Sequence, residues 1–302
     1  MQRVSLGICV RNCEDYLREA LNSIADQTYP HSLIELVIVD DGSEDGTLSI
    51  VKENVSKLDI TAKIFHTSWK GLGHARNMVV ANAEGDLILW VDGDMVLSKD
   101  YVAKLVEFMD RHPEVGIAKG KQALEPGGNT LATLEGYSRA AGRMVNYRSK
   151  QARMKSLGTG GAIYRVEALE KVGGFDERLR GYGEDQDVEI RIRNLGWLLD
   201  TVDVKFTDYE RHALTWKSLW RRYWLRGYQT RYFLQKNKRM IRHYRNFPPA
   251  AFFSGLSTSF VLFKLTHERA VFLLAFISSF KMTAWYVGFV RNHFDFLLFQ
   301  TK

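Results

Sequence analysis

Asp92 and Asp94 are the residues whose type and spacing speak most directly of chemistry. They close DLILWVDGDM (residues 86–95), where an apolar run leads straight into Asp92-Gly93-Asp94. Side chains two apart on a strand point the same way, so both carboxylates are expected to face one site. Hard oxygen ligands suit Mg²⁺ or Mn²⁺, which bridges two phosphates and offsets the charge growing on a leaving group. A polar turn after a strand is the plainer alternative. Upstream, IELVIVDDGS (34–43) repeats the plan and ends in Asp40-Asp41-Gly42-Ser43. Two acidic strand ends in the first third of the chain imply a nucleotide-diphosphate site, and with it an enzyme that uses an activated sugar. A third cluster, GYGEDQDV (181–188), sets Glu184, Asp185 and Asp187 at a helix start, where the helix dipole favours carboxylates. Capping accounts for one of these acids, not for three.

The elements that must position these groups follow from hydrophobic periodicity. VSLGICV (4–10), ELVIVD (35–40), TAKIFH (61–66), LILWV (87–91) and VGIAKG (115–120) have strand character. Between them, Leu17, Ala20, Leu21, Ile24 and Ala25 make a helical stripe with Asn12 as a candidate N-cap. Leu48, Val51 and Val55 make a second stripe, started by Ser43 or Asp45. GLGHARNMVVANAEG is expected to be a loop leading into a short helix, and YVAKLVEFM (101–109) a helix. The alternation implies an α/β fold, a twisted and mostly parallel sheet with helices on both faces. Ligands collect at the carboxyl ends of such strands, where both acidic motifs lie. From 121 to 210 the pattern loosens: GGAIYR reads as a strand, DVEIRIRNLGW as a helix and VDVKF as a strand.

In this register the chain resembles the family 2 glycosyltransferases, inverting enzymes with the GT-A nucleotide-sugar-binding fold. The resemblance is carried by VRNCEDYLREALNSIADQTYP, VDDGSEDGT, GLGHARNMVVANAEGDLILWVDGDM, GTGGAIYR and GGFDERLRGYGEDQDVEIRIRNLGW, five segments in the family's order. It implies a base pocket from Val10, Arg11 and Asp40, with Glu14 reaching the ribose. Asp41 stands either in that pocket or as part of a turn and helix cap. Arg76 follows a glycine-bearing loop able to approach the nucleotide closely. By resemblance Asp94 is the metal ligand, Asp92 with Gly93 lies nearer the ribose, and His212 is a third metal or phosphate ligand. Gly160 and Gly161 let backbone lie against the donor sugar. Glu184 and Asp185 form the catalytic pair, with Asp185 as the general base that deprotonates the acceptor hydroxyl. LWRRYWLRG (219–227) is similar to the QxxRW helix of cellulose-synthase-like and hyaluronan-synthase-like relatives, with Arg222 on the diphosphate and Tyr223 near the acceptor. Leu219 replaces the glutamine and Tyr223 the tryptophan, which counts against a processive polymer synthase.

Charge is unevenly distributed along the 302 residues. No Asp or Glu occurs from Arg211 to His267, while Lys217, Arg221, Arg222, Arg226, Arg231, Lys236, Lys238, Arg239, Arg242 and Arg245 lie within that stretch. AAFFSGLSTSFVLF (250–263) and AVFLLAFISSFKMTAWYVGFV (270–290) follow. A basic belt before apolar segments favours anionic lipid headgroups over nucleic acid. The expected organisation is a catalytic domain over 1–212, basic amphipathic interface helices over 213–247 with aromatics on one side and cations on the other, and a membrane-associated hairpin over 248–302. That hairpin spans the bilayer, turning at His267-Glu268-Arg269, or lies in its plane. Basic residues before the first apolar segment place the catalytic domain at the cytoplasmic face of the cell membrane. Cys9 and Cys13 are the only cysteines, too few for a disulfide framework or a zinc site. The chain runs directly into a strand pattern, so no cleavable signal peptide is expected.

The resulting expectation is a membrane-associated, metal-dependent inverting transferase. It moves one hexose, by resemblance to archaeal mannosyltransferases of N-glycan assembly mannose from GDP-mannose, to a polyprenyl- or dolichyl-linked glycan. A UDP-sugar-dependent polysaccharide synthase is the alternative on the same fold. A non-catalytic membrane scaffold would need none of Asp92, Asp94, Glu184 and Asp185.

Overall fold

A computed structural model describes residues 2–149, 155–180, 182–208, 214–237 and 247–300. In chain order the elements are β1 (Val4–Val10), α1 (Leu17–Ala25), β2 (Ile34–Asp41), α2 (Thr47–Val55), β3 (Thr61–Thr67), α3 (Leu72–Asn82), β4 (Leu87–Trp90), β5 (Met95–Leu97), α4 (Tyr101–Arg111) and β6 (Val115–Gln122). They continue with α5 (Thr130–Arg143), β7 (Ala162–Arg165), α6 (Val166–Lys171), α7 (Glu184–Asn194), β8 (Leu198–Asp208), α8 (Trp216–Lys236), α9 (Pro248–Thr266) and α10 (Leu274–Gln300). The chain forms two compact units. One comprises residues 1–123, 146–180 and 184–209; the other comprises 124–145, 181–183 and 210–302.

The first unit is built on an eight-stranded sheet in the order β3-β2-β1-β4-β7-β6-β8-β5. Strands β3, β2, β1 and β4 run parallel, as the alternation of elements predicts, and so do β6 and β8. Strand β7 enters antiparallel to both β4 and β6, and β5 antiparallel to β8, so the sheet is mixed. Strands β2 and β4 are buried along their whole length, which is why they read as unbroken apolar runs. The edge strand β3 is half-exposed.

Several local expectations change. Helix α1 begins at Leu17 behind Tyr16. Asn12 does not cap it; with φ at 50° it turns away, and its Oδ1 accepts the Glu44 N–H at 2.9 Å. Helix α2 starts at Thr47 and buries Ile50 in addition to Val51 and Val55, while Leu48 is only half-buried. Asp92 and Asp94 are not alternating strand residues. Strand β4 ends at Trp90, and the Met95 N–H donates to the Asp92 carbonyl across a tight turn before β5.

The second unit is helical among its described residues. Helix α5, not expected from sequence, is capped by Asn129, whose Oδ1 accepts the Ala132 N–H at 2.8 Å. Its Leu131, Leu134 and Tyr137 share a core with Leu219 and Tyr223 of α8, Leu262 of α9, and Leu274, Ile277 and Ala284 of α10. Aromatics do not form one outward stripe on α8: Tyr223 and Phe233 are buried while Trp216 is exposed. Pro248 starts α9, because its missing N–H costs nothing at a first helical position. Thr266 ends α9, and His267 adopts the left-handed conformation that turns the chain. The span Arg269–Phe296 is the one described segment long and apolar enough to cross a membrane.

Candidate active site

The sheet register assembles the base-side residues. Val10 lies opposite Asp40, and Asp40 opposite His66, so the carboxyl ends of β1, β2 and β3 form one row. Asp40 is fully buried. Its Oδ1 accepts from the Ser43 N–H at 3.0 Å and from the Ser43 hydroxyl, and its Oδ2 meets His66 Nδ1 at 3.0 Å. Asp41 holds the next loop: its two oxygens accept the N–H groups of Lys70 and Gly71 at 2.8 and 2.9 Å. Gly71 sits at φ 100°, a conformation that favours glycine, and α3 starts directly after it.

The loops after β1 and β2 are laced together. The Asn12 N–H donates to Ser43 Oγ at 3.0 Å, the Cys13 N–H to Thr47 Oγ1 at 2.8 Å, and the Gly46 N–H to Glu14 Oε2 at 2.6 Å. Arg11 lies over the Trp69 ring at 5.1 Å and donates to the Gly42 carbonyl. Gly93 packs against Val10 and Cys13, where a Cβ would come within 3.1 Å of both side chains.

Antiparallel entry of β7 brings the glycine loop to the carboxyl end of β4. The Gly161 N–H donates to the Trp90 carbonyl at 2.8 Å, and a Cβ on Gly160 would lie 2.1 Å from Asp92 Oδ2. This loop is clamped on both edges by residues the sequence did not single out. Glu189 of α7 accepts the N–H groups of Leu157 and Gly158 at 3.0 and 2.8 Å. Lys119 of β6 donates to the carbonyls of the same two residues at 2.9 and 3.1 Å. Burial, with Asp185 as a lesser cause, pushes the Glu189 carboxyl up to about 7.

Arg76 is the buried cation on which the acidic segments converge. It pairs with Glu184 at 2.7 Å and lies over the rings of Phe175 and Trp90 at 5.4 and 5.9 Å. It also feels the charges of Asp92 and Asp185. Burial first and Asp185 second raise the Glu184 carboxyl above its ordinary range, against the pull of Arg76. Asp185 is half-buried in the first turn of α7, where its Oδ1 accepts the Gln186 N–H at 2.7 Å. Asp187 is spent on Arg191 at 2.8 Å.

Among the described residues no three His, Cys, Asp or Glu side chains gather closely enough to hold a metal by themselves. Asp92 and Asp94 nonetheless fit a divalent cation. They offer hard oxygens at one strand end, and phosphate oxygens and water complete the shell of Mg²⁺-like ions in such sites. The space beside Asp92 is one that any side chain at 160 would fill. His212 lies outside the described residues. Arg222 and Tyr223 belong to the other unit, where the buried Tyr223 hydroxyl bonds to Glu135 Oε1 at 3.1 Å.

A family model, Glycosyl transferase family 2, matches residues 5–173. The chain belongs to this family. It is 27% identical to the probable glycosyltransferase YdaM of Bacillus subtilis over 329 aligned positions, covering the whole chain and 73% of that protein. It is 37% identical over 112 residues to the poly(ribitol-phosphate) beta-N-acetylglucosaminyltransferase TarS of Staphylococcus aureus, a match spanning 37% of this chain and 20% of TarS. Among solved structures, the mannosyltransferase PcManGT of Pyrobaculum calidifontis, in complex with GDP-Man and Mn²⁺, superposes with a TM-score of 0.68 at 20% identity. That alignment covers 97% of this chain and 88% of the other. The fold is thus the GT-A fold.

Proposed function

We propose that this glycosyltransferase is a membrane-associated inverting enzyme that transfers a single hexose, mannose from GDP-mannose, to a lipid-linked glycan. The carrying observation is the convergence on Arg76, which sets the acids of the β4 turn and of α7 within one electrostatic site. Val10, Arg11, Glu14 and the Asp40 end of β2 bind the nucleoside. Asp41 and Arg76 act by positioning, Asp41 on the glycine loop before α3 and Arg76 on Glu184. Asp92 and Asp94 would hold Mn²⁺ or Mg²⁺, which when bound neutralises the diphosphate as it leaves. Gly160 and Gly161 give the donor sugar a surface of bare backbone. Asp185 takes the proton of the acceptor hydroxyl as its oxygen attacks the anomeric carbon from the face opposite the diphosphate, and inversion follows. The basic belt with the apolar helices holds the enzyme at the cytoplasmic face of a membrane. The likeness to a GDP-Man complex supports the donor, while the sequence match to TarS, solved with UDP-GlcNAc, favours a UDP-sugar as the second reading.

The test is thermal stabilisation of the purified protein by GDP and by UDP, each with and without Mn²⁺. Ligand that binds only the native state raises its melting temperature by mass action. A Mn²⁺-dependent shift with GDP, lost in Asp94→Ala, is expected. A shift with UDP alone replaces the donor assignment with the second reading, and no shift with either refutes the nucleotide site.

A further inference from the structure

The span Arg269–Phe296 is long enough to cross a bilayer, yet its packing within the helical unit argues against crossing. Lys281 lies mid-way along it, 8% exposed, and its Nζ pairs with Glu135 Oε2 of α5 at 2.7 Å. It also lies over the Tyr223 ring of α8 at 5.1 Å. Helices α8 and α10 run side by side in the same direction. Trp216 and Trp220 meet Phe280, Tyr228 bonds to Asp295 at 3.1 Å, and Arg231 covers the ring of Phe296. At their closest point a Cβ on Gly227 would lie 1.9 Å from the Trp285 carbonyl oxygen, and one on Gly288 2.0 Å from that of Trp224. Helix α10 therefore cannot enter hydrocarbon without α8, which carries Lys217, Arg221, Arg222, Arg226, Arg231 and Lys236. Each such charge is costly at the bilayer centre.

The outward face of the same unit is apolar and continuous. Phe253 and Phe276 are 69% and 64% exposed. Phe252 meets both rings, at 5.7 and 5.3 Å. Leu273 and Phe280 lie three before and four after Phe276, on its side of the helix, and Phe280 reaches the exposed Trp216. Phe260 continues the face along α9, seven residues from Phe253. Exposed Lys217 follows Trp216 in α8, with exposed Arg221 one turn further on, while Lys264 and Arg269 flank the turn between α9 and α10. Glu268, the first acid after Arg211, is taken by the Tyr137 hydroxyl at 3.0 Å. An aromatic ribbon edged by cations and poor in acids complements an anionic lipid surface.

We infer that α8, α9 and α10 bind an anionic bilayer from one side, in the plane of the headgroups, and that α10 does not cross it. This rests on the membrane half of the proposed function and specifies its mode. It is tested in membranes of an expressing bacterium with an impermeant maleimide, comparing Lys264→Cys, beside the α9–α10 turn, with Lys57→Cys on the catalytic unit. Cys9 and Cys13 give little background, because burial pushes both thiols up to about 12 and the thiolate is the reactive form. In-plane binding exposes positions 264 and 57 in the same vesicle orientation. Labelling from opposite faces overturns the in-plane mode alone, and protein absent from the membrane fraction overturns attachment itself.

In flotation with phosphatidylcholine vesicles, added phosphatidylglycerol should strengthen binding. The double variant Phe253→Ser/Phe276→Ser should weaken it at least about tenfold while keeping its nucleotide-induced melting shift. A variant that floats like the parent, or a parent that hides the ribbon in a stable dimer and does not float, overturns the assignment.

Discussion

Two buried ion pairs, one in each compact unit, look alike. Arg76 meets Glu184 at 2.7 Å and Lys281 meets Glu135 at 2.7 Å, with all four side chains less than a tenth exposed. Their surroundings are opposite in sign. Around Arg76 the surplus is acidic, from Asp92 and Asp185, and the Glu184 carboxyl is raised. Around Glu135 the surplus is basic. Burial would raise its carboxyl, yet Lys281, Arg139 and Arg222 together hold it below its ordinary range. A buried pair is weak evidence of stability in itself, so the local surplus is the informative part. The first unit keeps negative charge where a cation and a departing diphosphate would be handled. The second keeps positive charge beside helices with an apolar outer face.

The largest effect expected from disturbing this balance is catalytic. Asp185→Asn keeps the shape of the α7 start and removes a charge and a proton acceptor. Turnover should fall on the order of a thousandfold with little change in nucleotide affinity, measured by single-turnover transfer beside a thermal-shift titration. Full transfer in this variant would remove the base assignment and leave the acidic surplus without its central role.

In the second unit the corresponding change should act on stability and not on nucleotide binding. Lys281→Met leaves Glu135 buried with less compensation, which typically costs about 3–5 kcal/mol. The double variant Glu135→Gln/Lys281→Met should recover only part of that loss, because the buried carboxylate is gone but Arg139 and Arg222 then face no counter-charge there. Denaturant unfolding of both variants checks this. Equal losses in the two would mean that the pair serves packing and that its charge is incidental.

The contrast also explains what the sequence made legible. The nucleotide-side motifs announce themselves because acids at strand ends, glycines in loops and acids at a helix start break the local pattern. Their partners do not: Glu189 and Lys119 look like polar residues on an amphipathic helix and a strand, and only the antiparallel entry of β7 turns them into a clamp. His66 near the end of β3 and Trp69 just after it have no spacing rule to mark them. Asp92 and Asp94 stand out as acids after an apolar run, although a turn and not a strand pleat separates them. Helix α5 is hard to read in the sequence because its buried Glu135 reads as a solvated face until α10 supplies Lys281. Helix α1 starts later than Asn12 because the interlocked loops take Asn12 and Ser43 as partners, while Asp45 does serve the start of α2, its Oδ1 accepting the Thr47 N–H at 3.0 Å.

The clamp provides a pH-dependent comparison. Glu189 goes from an ordinary 4.5 to about 7, so the fold favours its neutral form. The unfolded chain then loses this proton first as pH rises, and stability falls between those two values, by about 3 kcal/mol in all. Below 4.5 and above 7 this contribution is flat. Glu189→Gln should flatten the difference in unfolding free energy between pH 5 and pH 7. An unchanged slope would assign the titration to another buried acid, Glu184 foremost.

The smallest effect separates positioning from binding at Asp41. Its two carboxylate oxygens accept backbone N–H groups at 2.8 and 2.9 Å. In Asp41→Asn the amide keeps one acceptor and turns a donor toward the other N–H, stranding it at a cost of about 1–2 kcal/mol. If Asp41 only holds Gly71 and the start of α3, nucleotide affinity should stay within about threefold, since the energy lost belongs to the loop and not to the ligand. If it touches the base, affinity should fall by more than the stability change explains, because a site built to bond a polar group discriminates strongly once that bond is missing. Titrating nucleotide against Asp41→Asn at a temperature where it is fully folded decides between the two. A loss confined to stability would leave the fully buried Asp40, beside His66 and Ser43, as the one carboxylate of β2 that the nucleoside engages.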